Sequence, residues 1–148
     1  MTSLTPDEGP AWAAIRIASR WSTVRRGLEA GQQLRVAEGR LLWLLRDGEA
    51  RTLRQIADDL DLEQSTVNRQ VHAALDSGVV RRFRDEGSPT YLVEMSDAGR
   101  QRFGDDLTRL MAVYGHAVAA VPEAEQEAFL EHLSAFVEAL ADTTTDES

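Results

Sequence analysis

The chain has 148 residues, 43% apolar and 28% charged, with a formal net charge of −9 and no cysteine. That length suits one domain with a real core, and the composition excludes wholesale disorder. Without cysteine there is no disulfide framework, thiol redox switch or cysteine nucleophile, and no apolar run approaches the ~18 residues of a transmembrane helix.

Residues 1–10 include Pro6, Gly9 and Pro10 and read as a loose, polar arm. They carry no secretory signal, so a cytoplasmic protein is expected. A first helix is predicted from about Ala11. Ala14, Ile17, Trp21, Val24 and Leu28 recur on one face, and Gly27 and Gly31 mark its end. A second helix is predicted over Leu34–Arg46. Its last part, Leu41 to Leu45, is apolar nearly all round and is expected to be buried. Asp47-Gly48-Glu49 reads as a turn and Arg51-Thr52 as a brief strand.

Two short helices follow. Thr52 suits the N-cap of the first, which should bury Leu53, Ile56, Ala57 and Leu60. Asp61 stands where a turn favours positive φ, a conformation aspartate tolerates. Leu62 is expected to plug the space between the helices. The second helix, Gln64–Leu75, should bury Val67, Val71 and Leu75, with Gly78 closing it. Gln64, Ser65, Thr66, Asn68, Arg69 and His72 are left facing outward. This is a helix-turn-helix, and its second helix has the small polar outer face that suits a DNA major groove.

An arginine-rich hairpin comes next: Val79–Asp85, a turn at Glu86-Gly87-Ser88-Pro89, and Thr90–Met95. Period two puts Val80, Arg82 and Arg84 on one face and Arg81 and Phe83 on the other. Ser96 should cap a long helix with a stripe of Phe103, Leu107, Leu110, Met111, Tyr114, Val118 and Val121. Pro122 separates it from a last helix carrying Phe129, Leu133, Phe136, Val137 and Leu140. The tail from Asp142 is expected to fray.

The negative charge is unevenly distributed. Residues 1–50 hold seven arginines against six acids, residues 51–109 nine against eleven, and residues 110–148 none against eight. That separation suits one side facing DNA and another facing solvent. The middle segment is not basic, so phosphate contacts should come from a few placed arginines. All sixteen basic side chains are arginine, which reads as the codon bias of a GC-rich genome.

With these elements in order, the chain resembles the MarR family of bacterial transcriptional regulators from about residue 11 to 141. The resemblance rests on Leu60-Asp61-Leu62-Glu63-Gln64-Ser65-Thr66-Val67-Asn68-Arg69, on Leu75-Asp76-Ser77-Gly78-Val79-Val80, and on Met95-Ser96-Asp97-Ala98-Gly99-Arg100. It implies a winged-helix homodimer joined through its N- and C-terminal helices. Such proteins bind near-palindromic DNA, and many release it to a small, often aromatic, molecule. The wing departs from the family's Asp-x-Arg type of tip. Here Asp85-Glu86-Gly87-Ser88-Pro89-Thr90 carries no arginine onto the returning strand, and Arg82 or Arg84 would have to substitute.

The expected protein is therefore mainly α with a small β wing, a single regulator domain over 1–148. Residues 11–33 and 104–141 would be dimerisation helices and 34–103 the winged helix-turn-helix. Base readout falls to Gln64, Ser65, Thr66, Asn68 and Arg69, since Arg can read guanine and Asn or Gln adenine. Arg54, Arg81, Arg82, Arg84 and His72 are candidates for phosphate contact. Arg69 has a plainer alternative, an ion pair with Glu63 or Asp76. Trp21, Trp43, Met111 and Tyr114 are candidates for an effector pocket, with Trp12 and Phe103 also weighed, although such side chains are more often core. His116 and His132, even with Glu131, lack a metal-ligand spacing. No catalytic constellation stands out, so neither an enzyme nor a cofactor is expected. The expected partners are double-stranded DNA, a second copy of the chain and a small aromatic effector, with no membrane. The expected role is a repressor. The rival reading is a winged-helix module that binds another regulator instead of DNA.

Overall fold

The computed structural model describes residues 9–145, so the expectations for the arm ahead of Gly9 fall outside the described residues. The chain divides into two units, the first ending at Asp106 and the second beginning at Leu107.

In the first unit, helix α1 spans Pro10–Ala30, with Gly9 as N-cap and Pro10 in its first turn, where the missing N–H costs no helical bond. Gly31 ends it. Gly27 lies within the helix instead of marking its end. None of its residues is buried. Helix α2 spans Val36–Leu44 and tightens into a 3-10 turn at Leu45–Asp47. Leu41, Leu42 and Leu45 are buried, but Trp43 is 52% exposed. The expected all-round burial therefore fails at Trp43: so short a helix has one inner face, and this side chain turns outward. There it lies against Phe103, with centroids 6.3 Å apart, and under the Arg46 guanidinium at 4.2 Å.

Helix α3, Leu53–Leu60, begins with a reciprocal capping box. The Thr52 hydroxyl accepts from the Gln55 N–H, and the Gln55 side chain accepts from the Thr52 N–H. Asp61 then adopts φ 51° and ψ 51°, the left-handed turn expected from the sequence. Helix α4 spans Gln64–Asp76. Its inner face is Val67, Val71 and Ala74, all buried, with Leu75 only partly covered. The third inner position is thus one residue earlier than a uniform spacing of four implies. Gly78, at φ 78°, makes the turn into the wing.

Strands β1 (Val80–Phe83) and β2 (Leu92–Met95) are shorter than expected at their tip ends. They pair antiparallel, Val80 opposite Met95 and Phe83 opposite Leu92. Arg51 adds a bridge on the other side of β2, exchanging two backbone hydrogen bonds with Val93. Val79, Val80, Val93 and Met95 join Leu34, Leu41, Leu42, Leu45, Ile56, Ala57, Val67, Val71 and Ala74 in one core.

Helix α5, Asp97–Val118, starts in this unit and runs into the second. The Ser96 hydroxyl accepts from the Gly99 N–H at 3.0 Å and donates to the Gly78 carbonyl, fixing the helix start to the end of α4. In the second unit a 3-10 turn at Glu123–Glu125 follows Pro122, then helix α6, Gln126–Thr145. The helix continues past Asp142 to Thr145, where the Thr143 and Thr144 hydroxyls donate back to carbonyls of Leu140 and Ala141; the rest of the tail expected to fray lies outside the described residues. No helix among the described residues is long and apolar enough to cross a membrane.

Candidate nucleic-acid interface

At 3.6 residues per turn, Ser65, Arg69, His72 and Asp76 lie opposite the buried Val67, Val71 and Ala74. Asn68 stands beside them, and all five are exposed. Gln64 is exposed on one flank. Thr66, half-buried on the other, joins Arg69, Gln70 and Ala73 in lining an open groove against Arg35, ahead of α2, and Ala37 and Glu38 in its first turn. Of the six predicted outward residues, five point to solvent and Thr66 is half turned inward.

Arg69 forms no ion pair with Glu63 or Asp76 among the described residues, so its guanidinium is available. The His72 ring lies with Nδ1 3.0 Å from the Asn68 carbonyl, to which it donates, so Nε2 is the ring nitrogen left for an outside partner. Asp76 is an acid at the far end of this face. Recognition helices touch base edges through their N-terminal part, so Asp76 sits where it interferes least. Arg54 is exposed on α3.

Glu38 is 7% exposed, and the Arg35 Nε lies 3.8 Å from its carboxylate. Its position in the first turn of α2 suits a negative charge, which the helix dipole favours there.

On the wing the three predicted arginines differ. Arg81 is ion-paired with Glu94, directly across the ladder, and lies 5.0 Å from the Phe83 ring. Its charge is spent within the hairpin, which weakens the case for a phosphate contact. Arg82 and Arg84 share the other face, as period two predicts. Their guanidiniums lie 4.4 Å and 5.2 Å from the Tyr91 ring. Neither has a carboxylate partner among the described residues, Asp85 and Glu86 included. The sequence reading passes over Tyr91. The hairpin register could have found it, because continuing the ladder one step past Phe83 and Leu92 sets Arg84 opposite Tyr91.

The base of the wing is clamped by Arg51. Its guanidinium binds Asp47 at 2.6 Å and approaches Asp59 at 3.4 Å, joining the 3-10 turn to α3. The Arg51 hydrogen bond and the Glu49 N–H hold the Asp47 carboxyl down at about 2, and Asp47 in turn raises Arg51.

The same arrangement of elements occurs in known regulators. A MarR family transcription regulator matches with a TM-score of 0.75 and 15% identity over 91% of this chain and 93% of that one. Streptococcus pneumoniae FabT in complex with DNA matches at 0.71 and 15%, covering 88% and 99%. A MarR family regulator from Rhodococcus sp. RHA1 matches at 0.64 and 20%, covering 88% and 96%. This chain has the MarR-type winged-helix fold. No protein-family model matches it, and no curated sequence does.

Within this MarR-type chain the predicted effector residues are all open to solvent. Trp21 is 40% exposed and Trp43 52% in the first unit; Met111 is 68% and Tyr114 43% in the second. Among the described residues no three His, Asp or Glu side chains gather as a metal site.

Proposed function

We propose that this chain is a MarR-family transcription regulator that binds duplex DNA sequence-specifically as a homodimer. The observation that carries this is the outer face of α4, where Ser65, Asn68, Arg69 and His72 are exposed and Arg69 has no carboxylate partner among the described residues. Ser65, Asn68 and Arg69, with Gln64 and Thr66 on the flanks, read base edges. Arg69 offers two parallel N–H donors to guanine O6 and N7, and Asn68 a donor and an acceptor to adenine. Arg54, Arg82, Arg84 and His72 contact phosphates, and Arg81 contributes less because Glu94 neutralises it. FabT, with the same fold, has been captured on DNA, which supports the reading.

A homodimer is supported by apolar side chains each helix leaves uncovered: Ile15, Ile17 and Val24 on α1, Met111 and Val113 on α5, and Phe136, Val137 and Leu140 on α6. Surfaces of this kind mark association sites. A two-fold dimer would read a near-palindromic site, with half-sites about one helical turn apart. The role is repression, relieved by a small aromatic effector. Trp21, Trp43, Met111 and Tyr114 are the candidates for its contacts, each within its own unit. The function is regulatory and not enzymatic, and it is exercised in the cytoplasm.

Selection of bound sites from a random duplex pool tests the reading. A palindromic consensus is expected. Retention of no duplex, with capture of another regulator instead, would favour the protein-binding alternative.

A further inference from the structure

We propose that Tyr91 is a positioning residue for DNA binding, holding Arg82 and Arg84 as a paired cationic grip on the phosphate backbone. The inference rests on the DNA-binding reading above and adds to it a residue and a device. Both guanidiniums lie within cation–π range of the one ring, at 4.4 Å and 5.2 Å. The hairpin register explains why. Arg82 pairs with Val93 and Phe83 with Leu92, so Arg84 faces Tyr91 and Arg82 is its diagonal neighbour on the same face.

The contrast with Arg81 gives the arrangement its meaning. Arg81 meets a carboxylate, Glu94, and is neutralised. Arg82 and Arg84 have no carboxylate partner among the described residues and meet the Tyr91 ring, which fixes a guanidinium without cancelling its charge. Two long side chains two residues apart would otherwise repel and sample many rotamers. Stacking on one aromatic removes part of that freedom before DNA arrives, so less is lost on binding. Tyr91 is 45% exposed, and the hairpin's buried residues are Val80, Val93 and Met95 at its root. The ring is therefore not needed to fill the core. The two adjoining acids, Asp85 and Glu86, would repel phosphate at the tip, which gives organised cations on the strand more to do.

The test uses the full chain and four variants: Tyr91→Phe, Tyr91→Leu, the double Arg82→Ala/Arg84→Ala, and that double variant with Tyr91→Leu added. Each is titrated against a site selected from a random pool and against a scrambled duplex, at several salt concentrations. Tyr91→Phe keeps the ring and is expected to bind within about twofold of the parent. Tyr91→Leu keeps apolar bulk without a π face. It should weaken both duplexes by about fivefold and flatten the log–log salt slope by up to ~1.8 per protomer. In the background lacking both arginines, Tyr91→Leu should add no further loss. Without DNA, the δ-methylene proton resonances of Arg82 and Arg84 should be ring-shifted upfield in the parent and Tyr91→Phe, and not in Tyr91→Leu.

Parental affinity and slope in Tyr91→Leu, alongside weakened binding by the double arginine variant, would overturn the role of Tyr91 and leave the DNA reading standing. A loss that persists without the arginines would overturn it equally. If the parent retains no duplex from the pool, the DNA reading falls and takes this inference with it.

Discussion

The backbone N–H of Leu34 lies 2.9 Å from the Asp106 carboxylate, across 72 positions of sequence. The other carboxylate oxygen accepts from the Gln33 N–H, also at 2.9 Å. Asp106 is 6% exposed and holds the two residues just ahead of α2, whose N-cap Arg35 makes no side-chain capping bond of its own. The carboxylate therefore fixes the chain where α1 gives way to the helix under the recognition element. Asp106→Ala should destabilise the fold by ~2–3 kcal/mol, because it leaves two N–H groups without their acceptor. Asp106→Asn, which keeps one acceptor oxygen, should cost about half as much. Urea unfolding at fixed protein concentration measures both, and equal midpoints for parent and Asp106→Ala would contradict the assignment.

A second packing constraint lies at the start of α5. A Cβ on Gly99 would stand 1.9 Å from the Val79 carbonyl oxygen. Backbone meets backbone there, so nothing flexible can yield. Gly99→Ala should cost at least ~3 kcal/mol or prevent folding. Gly39, inside α2, has open space around its missing Cβ, and Gly39→Ala should stabilise by ~0.5–1 kcal/mol. Thermal melts of the two variants should move in opposite directions.

The Arg51 clamp gives stability an acid limb. Because the folded-state value of Asp47 is depressed to about 2 from 3.8, its contribution is present above the ordinary carboxylate range. It is lost as pH falls through about 2. Asp47→Asn should therefore be less stable than the parent at pH 6, and the gap should narrow as pH drops from about 4 to 2. A gap that stays constant over that window would show that Asp47 is not tied to Arg51 in the folded chain.

Dimerisation is expected to be tight, with more than ~2,000 Å² buried, since the uncovered apolar side chains span three helices. Sedimentation should show a dimer at micromolar concentration, and a stable monomer would contradict it.

What could be read from the sequence was mostly local. The capping residue Thr52, the left-handed Asp61 and the Ser96 cap on the Gly99 N–H all act within four residues of their own position. Alternation likewise placed Arg82 and Arg84 together. What could not be read depends on distant partners. Asp106 reaches Gln33 and Leu34, Arg51 ties Asp59 and Val93 together, and Tyr91 finds its arginines only through hairpin register. Trp43 was misplaced because an apolar run from Leu41 to Leu45 hides which side faces out. The shift from Leu75 to Ala74 has a similar origin: i+3 and i+4 share a face, and packing against neighbours chooses between them.

In the proposed function, α4 reads sequence through Arg69. This is tested most directly by titrating the parent and Arg69→Ala against the selected site and a scrambled duplex. Arg69→Ala is expected to lose ~1–3 kcal/mol on the selected site and less on the scrambled one, with relaxed preference at one base pair per half-site. A specificity ratio unchanged by Arg69→Ala would contradict it.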